Sequence, residues 1–372
     1  SHVMSVRMLS PDEVARALAV RDLSDPREGA HAMQRLVDDI IAALTRAWSS
    51  DVLVHRDARV VDIAENYDAL GYEPDAVTRD ARYTRYVTET RMLRSHTSAL
   101  VPAALRSVGD GASDVVVACP GVVYRRDAID RLHTGTPHQL DLWRVTRDRP
   151  LAGGDLKEMI ELVVRTALPG AEWRVEPRLH PYTDDGLQID VENGDEWVEI
   201  GECGLAGAHV MHGAGLDVPW TGLAMGLGLD RLLMLRKGVA DIRLLRATDG
   251  RIAAQMRDLS LYRPVSNRPA VVRDLSIAVA DDDDVELLGD RVREALHADV
   301  DWVEAVEVLS QTPGVELPPI ARERLGLRPG QKNVLLRVVL RHVDRTLTRA
   351  EANSLRDRVF RAVHAGDVCP TS

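Results

Sequence analysis

Gly222-Leu223-Ala224-Met225-Gly226-Leu227-Gly228-Leu229-Asp230-Arg231-Leu232-Leu233-Met234-Leu235 is the stretch on which the reading of this chain turns. Leu223 to Lys237 reads as a glycine-rich strand running into a helix, with Arg231 just inside that helix. Its small residues let a ligand approach the backbone. The pattern is not a phosphate loop, because no Gly-Lys-Ser/Thr follows, and the dinucleotide fingerprint does not fit either. Taken alone, a glycine-rich strand serves close helix–sheet packing just as well.

About 100 residues earlier lies a second constellation, Gly121-Val-Val-Tyr124-Arg125-Arg126-Asp127-Ala-Ile-Asp130-Arg-Leu-His133-Thr-Gly-Thr-Pro137-His138-Gln139-Leu140-Asp141. Two β-like runs flank a polar loop dense in Arg and His. An arginine fork held on a strand suits a phosphate or carboxylate, which it grips through two parallel hydrogen bonds. Histidines of the loop are placed to reach the outer phosphates of a nucleotide. A plain charged hairpin accounts for the same residues if they are read alone.

In this order and at this spacing, the two stretches resemble motifs 2 and 3 of the class II aminoacyl-tRNA synthetases, and specifically those of phenylalanine–tRNA ligases. That family carries an arginine-bearing strand, a loop ending in His-Gln, and a glycine-rich strand ending in Glu/Asp-Arg. Met92-Leu93-Arg94-Ser95-His96-Thr97-Ser98, Glu199-Ile-Gly-Glu202-Cys203-Gly204 and Asp241-Ile242-Arg243 are similar to further family stretches. The tail from Arg268-Pro269 through Arg273-Asp274-Leu275-Ser276 to Arg345-Thr346-Leu347-Thr348 resembles the family's ferredoxin-fold anticodon-binding domain. The resemblance spans roughly 21–365 and fits the single-chain organellar form better than the two-subunit bacterial form.

The resemblance implies an ATP-dependent, Mg²⁺-assisted ligase that forms an aminoacyl adenylate and passes the amino acid to tRNA. Arg125 would grip the α-phosphate and the substrate carboxylate, and Arg231 the adenine and outer phosphates. Asp127 would accept from the adenine amino group, His133 would meet the outer phosphates, and Glu199 or Glu192 would help hold Mg²⁺. His96, Ser98, Gln139 and Asp141 would orient the amino acid's amino and carboxyl groups. Around its side chain the resemblance puts His180, Tyr182, Glu202 and Ala224.

Departures from the family concentrate in that pocket. The family's Phe-Pro-Phe-Thr is His180-Pro181-Tyr182-Thr183 here, and a glycine becomes Glu202. Pro137 replaces the phenylalanine that stacks on adenine, Asp141 shortens a glutamate, and Val101 replaces a glutamine. Polar groups around a phenyl ring would be left unpaired at about 1–3 kcal/mol each. The pocket therefore suits a side chain that hydrogen-bonds back. An alternative to phenylalanine–tRNA ligation is thus a paralogue that activates a more polar or non-standard amino acid, for tRNA or for a biosynthetic acceptor. A non-catalytic RNA-binding relic is a further reading, opposed by the presence of Arg125, Arg231 and His96.

Working outward, the fold expectation is α+β: an antiparallel class II sheet flanked by helices over 4–262, then a ferredoxin-like split βαβ domain over 263–368. Asp12 to Trp48 reads as largely helical, opened by Ser10 as cap with Glu13 three residues on. Short β-like runs follow at 52–54, 114–118, 122–124, 142–145, 172–177 and 187–191, interrupted by a helix over 155–167 after the Gly153-Gly154 turn. Prolines at 264 and 269 mark the boundary. Beyond it come a strand (271–279), an acidic loop, a helix (285–296), strands (302–309, 333–341) and a helix (349–363). His209-x-x-His212 reads as a loop with polar histidines, since no third residue is spaced to complete a metal site.

Composition agrees with a globular protein: 372 residues, 45% hydrophobic and 28% charged, with Phe360 the sole phenylalanine. No apolar run reaches the roughly 18 residues a membrane span needs. Ser1-His2-Val3 before Met4 reads as a cloning scar. Cys119, Cys203 and Cys369 do not suggest a disulfide framework, and a cytoplasmic monomer or homodimer is the expectation. The net charge of −11 opposes indiscriminate nucleic-acid binding. Between Arg322 and Arg361, however, eleven Arg or Lys face four Asp or Glu, a local balance of +7 that offers phosphate contacts.

Overall fold

A computed structural model describes residues 7–80, 83–265, 268–343 and 345–367, so Cys369 and the leading tripeptide lie outside the described residues. The chain forms two compact units. The first comprises 1–125, 136–239 and 254–262, the second 126–135, 240–253 and 263–372.

In the first unit, helix α1 (Pro11–Leu18) opens with the expected capping box between Ser10 and Glu13. The largely helical stretch expected to Trp48 is divided into two helices. Pro26 and the Asp25-capped turn interrupt it, and α2 (Ala32–Trp48) starts at His31, whose Nδ1 accepts from Met33 N–H. Next come β1 (Asp51–Val54), β2 (Val60–Asp62), α3 (Ile63–Asn66), β3 (Arg91–Leu93) and α4 (Val101–Arg106). Strands β4 (Asp114–Val122) and β5 (His138–Thr146) flank the arginine-bearing segment, so 122–124 is no separate strand. Helix α5 (Gly153–Ala167) absorbs both glycines expected in a turn. The unit continues with β6 (Trp173–Pro177), β7 (Thr183–Asn193), β8 (Glu196–Ala206), α6 (Ala208–Gly213), β9 (Thr221–Gly228) and α7 (Leu229–Lys237). His209 and His212 thus sit on a short helix, not in a loop.

The main sheet has the order β1-β4-β5-β9-β8-β7-β6. It is mixed and not wholly antiparallel, because β1 pairs parallel with β4. The long excursion from Val54 to Asp114 supplies the crossover that a parallel pair requires. Helices α2, α5 and α7 pack together behind the sheet, and the Arg236 guanidinium ties α7 to the end of α5 through the Thr166 and Ala167 carbonyls. On the front face, Val115, Val117, Trp143, Tyr182 and Ala224 form a core with Leu100, Leu105, Val210 and Met211. Covered on both faces, the central strands read as continuous apolar runs.

The second unit contains α8 (Gly250–Ala253), β10 (Val271–Ala280), α9 (Val285–Leu296), β11 (Val303–Pro313), α10 (Pro319–Leu325), β12 (Gln331–Leu340) and α11 (Arg349–Val363). Its antiparallel sheet runs β10-β12-β11, a βαββα plan with α10 as an unforeseen insertion. Ile277, Val279, Leu288, Val292, Leu336, Val338 and Val359 fill its core, and Ile129 joins them from the arginine-bearing loop.

Candidate active site

The site grows from three neighbouring strands. Asp141 on β5 pairs with Gly226 on β9, and Gly226 pairs on its other side with Glu202 on β8. Paired residues share a face, so Gln139, Asp141, Trp143, Ala224, Gly226, Gly228, Glu202 and Gly204 all point forward. The middle strand offers only Ala224 and glycines there. A Cβ at Gly226 would meet nothing closer than Glu202 Cγ at 3.9 Å, and one at Gly228 nothing within 4 Å. A slot floored by bare backbone results, with a carboxylate on each side. Ala224 belongs to the front core at its end.

On the β5 side, Asp141 is buried and accepts from Thr97 Oγ1 at 2.6 Å and Ser98 Oγ at 2.8 Å. Gln139 Oε1 accepts from Thr97 N–H at 3.0 Å. Burial raises the Asp141 carboxyl to about 6 although both hydroxyls favour its charge, and the nearby Glu202 charge adds to the rise. His96 precedes this turn, its Nε2 2.8 Å from the Asn66 carbonyl. Burial, with Arg125 adding, holds it down to about 4. It is therefore neutral near pH 7, with Nε2–H donating. Tyr72 meets the His96 ring edge-on at 5.8 Å and Tyr67 at 5.3 Å. Burial raises the Tyr72 hydroxyl, and the Glu202 charge raises it further.

On the β8 side, Glu202 is clamped. Tyr182 donates its hydroxyl to Oε1, and His180 Nε2 stands 2.7 Å from Oε2. His180 Nδ1 is 3.2 Å from Thr183 Oγ1. The Tyr182 ring stacks between Trp143 at 6.3 Å and His180 at 5.8 Å. Burial alone would raise Glu202, but the donors from His180 and Tyr182 outweigh it and hold the carboxyl at about 2. This corrects the expectation for His180 and Tyr182, whose Nε2 and hydroxyl are turned to Glu202 and not left unpaired toward a ligand, while Glu202 stays on the face of the slot.

Toward the other end, Arg125 is exposed and its Nε donates to the Ser95 carbonyl at 3.0 Å. Arg231 lies in the first turn of α7, its Nη1 3.5 Å from the Glu199 carbonyl. The Glu199 carboxylate is part-exposed and pairs with Arg178 at 2.8 Å. Glu192 lies two residue pairs further along the same hairpin, opposite Trp197. Among the described residues no three His, Cys, Asp or Glu converge as a metal cage. An accessible Glu199 beside Arg231 suits a hard cation held mainly by phosphate oxygens, and Glu192 stands further off. Asp127 and His133 belong to the second unit. There the Asp127 carboxylate accepts from Ala128 N–H, and His133 Nδ1 stands 2.7 Å from Asp130.

Sequence reasoning missed Asn66, Tyr67 and Tyr72, which lie among single helical turns with no period to follow. It also missed the His138–Asp230 link. His138 is fully buried, with Nε2 accepting from Leu23 N–H at 3.0 Å. Its other nitrogen, Nδ1, therefore carries the proton and donates to Asp230 at 3.1 Å. The backbone N–H of His138 donates to the same carboxylate. Asp230 in turn precedes Arg231, so the buried histidine fixes the start of the helix that presents this arginine.

Comparison with known proteins agrees with this geometry. Residues 21–256 match the family described as tRNA synthetases class II core domain (F). The chain is 32% identical over 191 residues to the phenylalanine–tRNA ligase alpha subunit of Prochlorococcus marinus, covering 51% of this chain and 56% of that one. It is 32% identical over 227 residues to the same subunit of Teredinibacter turnerae, covering 59% and 66%. With the chloroplastic/mitochondrial phenylalanine–tRNA ligase of Arabidopsis thaliana it shares 29% over 315 residues, covering 81% and 68%. The chain thus spans between about half and two thirds of the length of the bacterial relatives, and its match to the organellar one reaches further. The family match covers well over half of the chain, and with the motifs on β5, β9 and α7 in place, the chain belongs to the class II tRNA synthetase core-domain family.

Proposed function

We propose that the protein activates an amino acid with ATP and transfers it to tRNA, as a phenylalanine–tRNA-ligase-like enzyme. The observation that carries this reading is the bare Gly226–Gly228 strip, edged by Asp141 and Gln139 and running directly into the helix that bears Arg231. The amino acid lies over the strip, with Ser98, Gln139, Asp141 and His96 orienting its amino and carboxyl groups. Arg125 holds the substrate carboxylate against the α-phosphate, and Arg231 meets the adenine and outer phosphates. Both oppose charge that grows as carboxylate oxygen attacks phosphorus in line and pyrophosphate leaves. Glu199 and Glu192 are the candidate carboxylates that would help hold Mg²⁺, which would supply neutralising charge for the triphosphate. No protein nucleophile is required, since positioning and electrostatics supply the rate.

The second unit is proposed as a ferredoxin-like anticodon-binding domain over 263–368. Its βαββα order and the local +7 balance over 322–361 support this assignment. No helix of the described residues is long and apolar enough to cross a membrane, and the free, buried Cys119 and Cys203 suit a reducing cytoplasm. The test is charging of total tRNA with labelled amino acids. ATP-dependent, acid-precipitable label is expected. Adenylate formation without any tRNA charging would remove the transfer half of the proposal.

A further inference from the structure

Of the polar groups that border the slot, Glu202 alone combines charge, access and spare acceptor capacity. Asp141 also carries one donor on each oxygen, but at 2% exposure its remaining lone pairs are out of a ligand's reach. The side chains of Glu202 and His180 are 32% and 6% exposed, and Tyr182 is 4% exposed. A carboxylate has about four lone-pair sites, and the clamp uses one per oxygen. Nor is Glu202 free to turn away, because Tyr182 is wedged between Trp143 and His180, and Thr183 lies against His180. Arg178, the cation nearest in influence, is committed to Glu199 and Gln188. An apolar side chain in the slot would strip water from an ionised group and return nothing. A donor or a cation would complete its coordination.

We propose that Glu202 is the specificity-determining residue of the amino-acid site, and that it selects an amino acid whose side chain carries a hydrogen-bond donor or a positive charge over phenylalanine. The inference rests on the adenylation reading of this site and names the substrate class within it. His180 and Tyr182 act as positioning residues that keep the carboxylate aimed across Gly226 at the ligand.

The experiment is calorimetric binding of a panel of amino acids to the full chain, run beside ATP–pyrophosphate exchange on the same panel. The tightest ligand should carry a donor or cationic side chain and exceed phenylalanine at least about tenfold. In Glu202→Gln that ratio should fall at least about tenfold, since an uncharged amide discriminates less. Tyr182→Phe, which leaves the carboxylate but loosens its clamp, should lower the ratio in the same direction. Phenylalanine or another apolar amino acid as the tightest ligand of the native chain would overturn the proposal, as would an unchanged ratio in Glu202→Gln. Selective binding with no exchange for any amino acid would instead overturn adenylation and leave the Glu202 assignment standing.

Discussion

Asp141 and Glu202 face one another across Gly226, each paired in register with that glycine from opposite sides, and their surroundings drive their acidities apart. Burial lifts Asp141 to about 6, whereas the donors of His180 and Tyr182 hold Glu202 at about 2. Two carboxylates with one backbone between them thus have separate roles: a buried organiser and an accessible, permanent charge.

Stability should report this difference. Asp141 holds its proton more tightly folded than unfolded, so its contribution is fully favourable below about pH 4 and is lost as pH rises through about 6. His96, held down to about 4, acts oppositely over part of that window, so the comparison must be with a variant. The stability of Asp141→Asn relative to the native chain should be more favourable at pH 7.5 than at pH 4 by roughly 2–3 kcal/mol in urea unfolding. A pH-independent difference would mean that Asp141 titrates normally.

The slot itself can be filled. Gly226 has extended backbone and open space before it, so Gly226→Val should fold, β-branched residues being at home in strands. Its methyls would occupy the floor between Asp141 and Glu202. The amino-acid KM should rise about 100-fold, equivalent to about 2.7 kcal/mol, and the ATP KM by much less. Parallel rises in both would show that the strip does not hold the amino acid.

How far the sequence carried the reading depends on the range of the forces involved. The strand-to-helix unit at Gly222–Lys237, the capping box at Ser10 and the helices at 285–296 and 349–363 rest on local patterns, and they were legible. The Glu202 clamp was not, because it needs His180 and Tyr182 brought beside β8 by a hairpin. Ile129 gives no local sign that its loop packs into the second unit's core, nor does Val54 show that its strand will pair parallel with β4. Resemblance supplied the candidate residues, but only the folded register shows which of them share a face.

The basic surface of the second unit should carry tRNA affinity. Because Ile129 is part of that unit's core, cutting the chain after Tyr262 would strip its cover, and point substitution is the cleaner test. Arg322, Arg324 and Arg361 are exposed. Replacing all three by Ala should weaken tRNA binding and reduce the salt dependence, the slope of log K against log salt, by roughly 2. An unaltered slope would place the phosphate contacts elsewhere.

The central claim, that the site makes an aminoacyl adenylate, is tested most directly by ATP–pyrophosphate exchange in the native chain, Arg125→Ala and Arg231→Ala, with every common amino acid supplied. The native chain should exchange with at least one amino acid. Each substitution should lower that rate by a factor of about 100 or more, the cost of losing about 3 kcal/mol of charge stabilisation at the transferring phosphoryl group. Exchange at native rates in either variant would contradict the account.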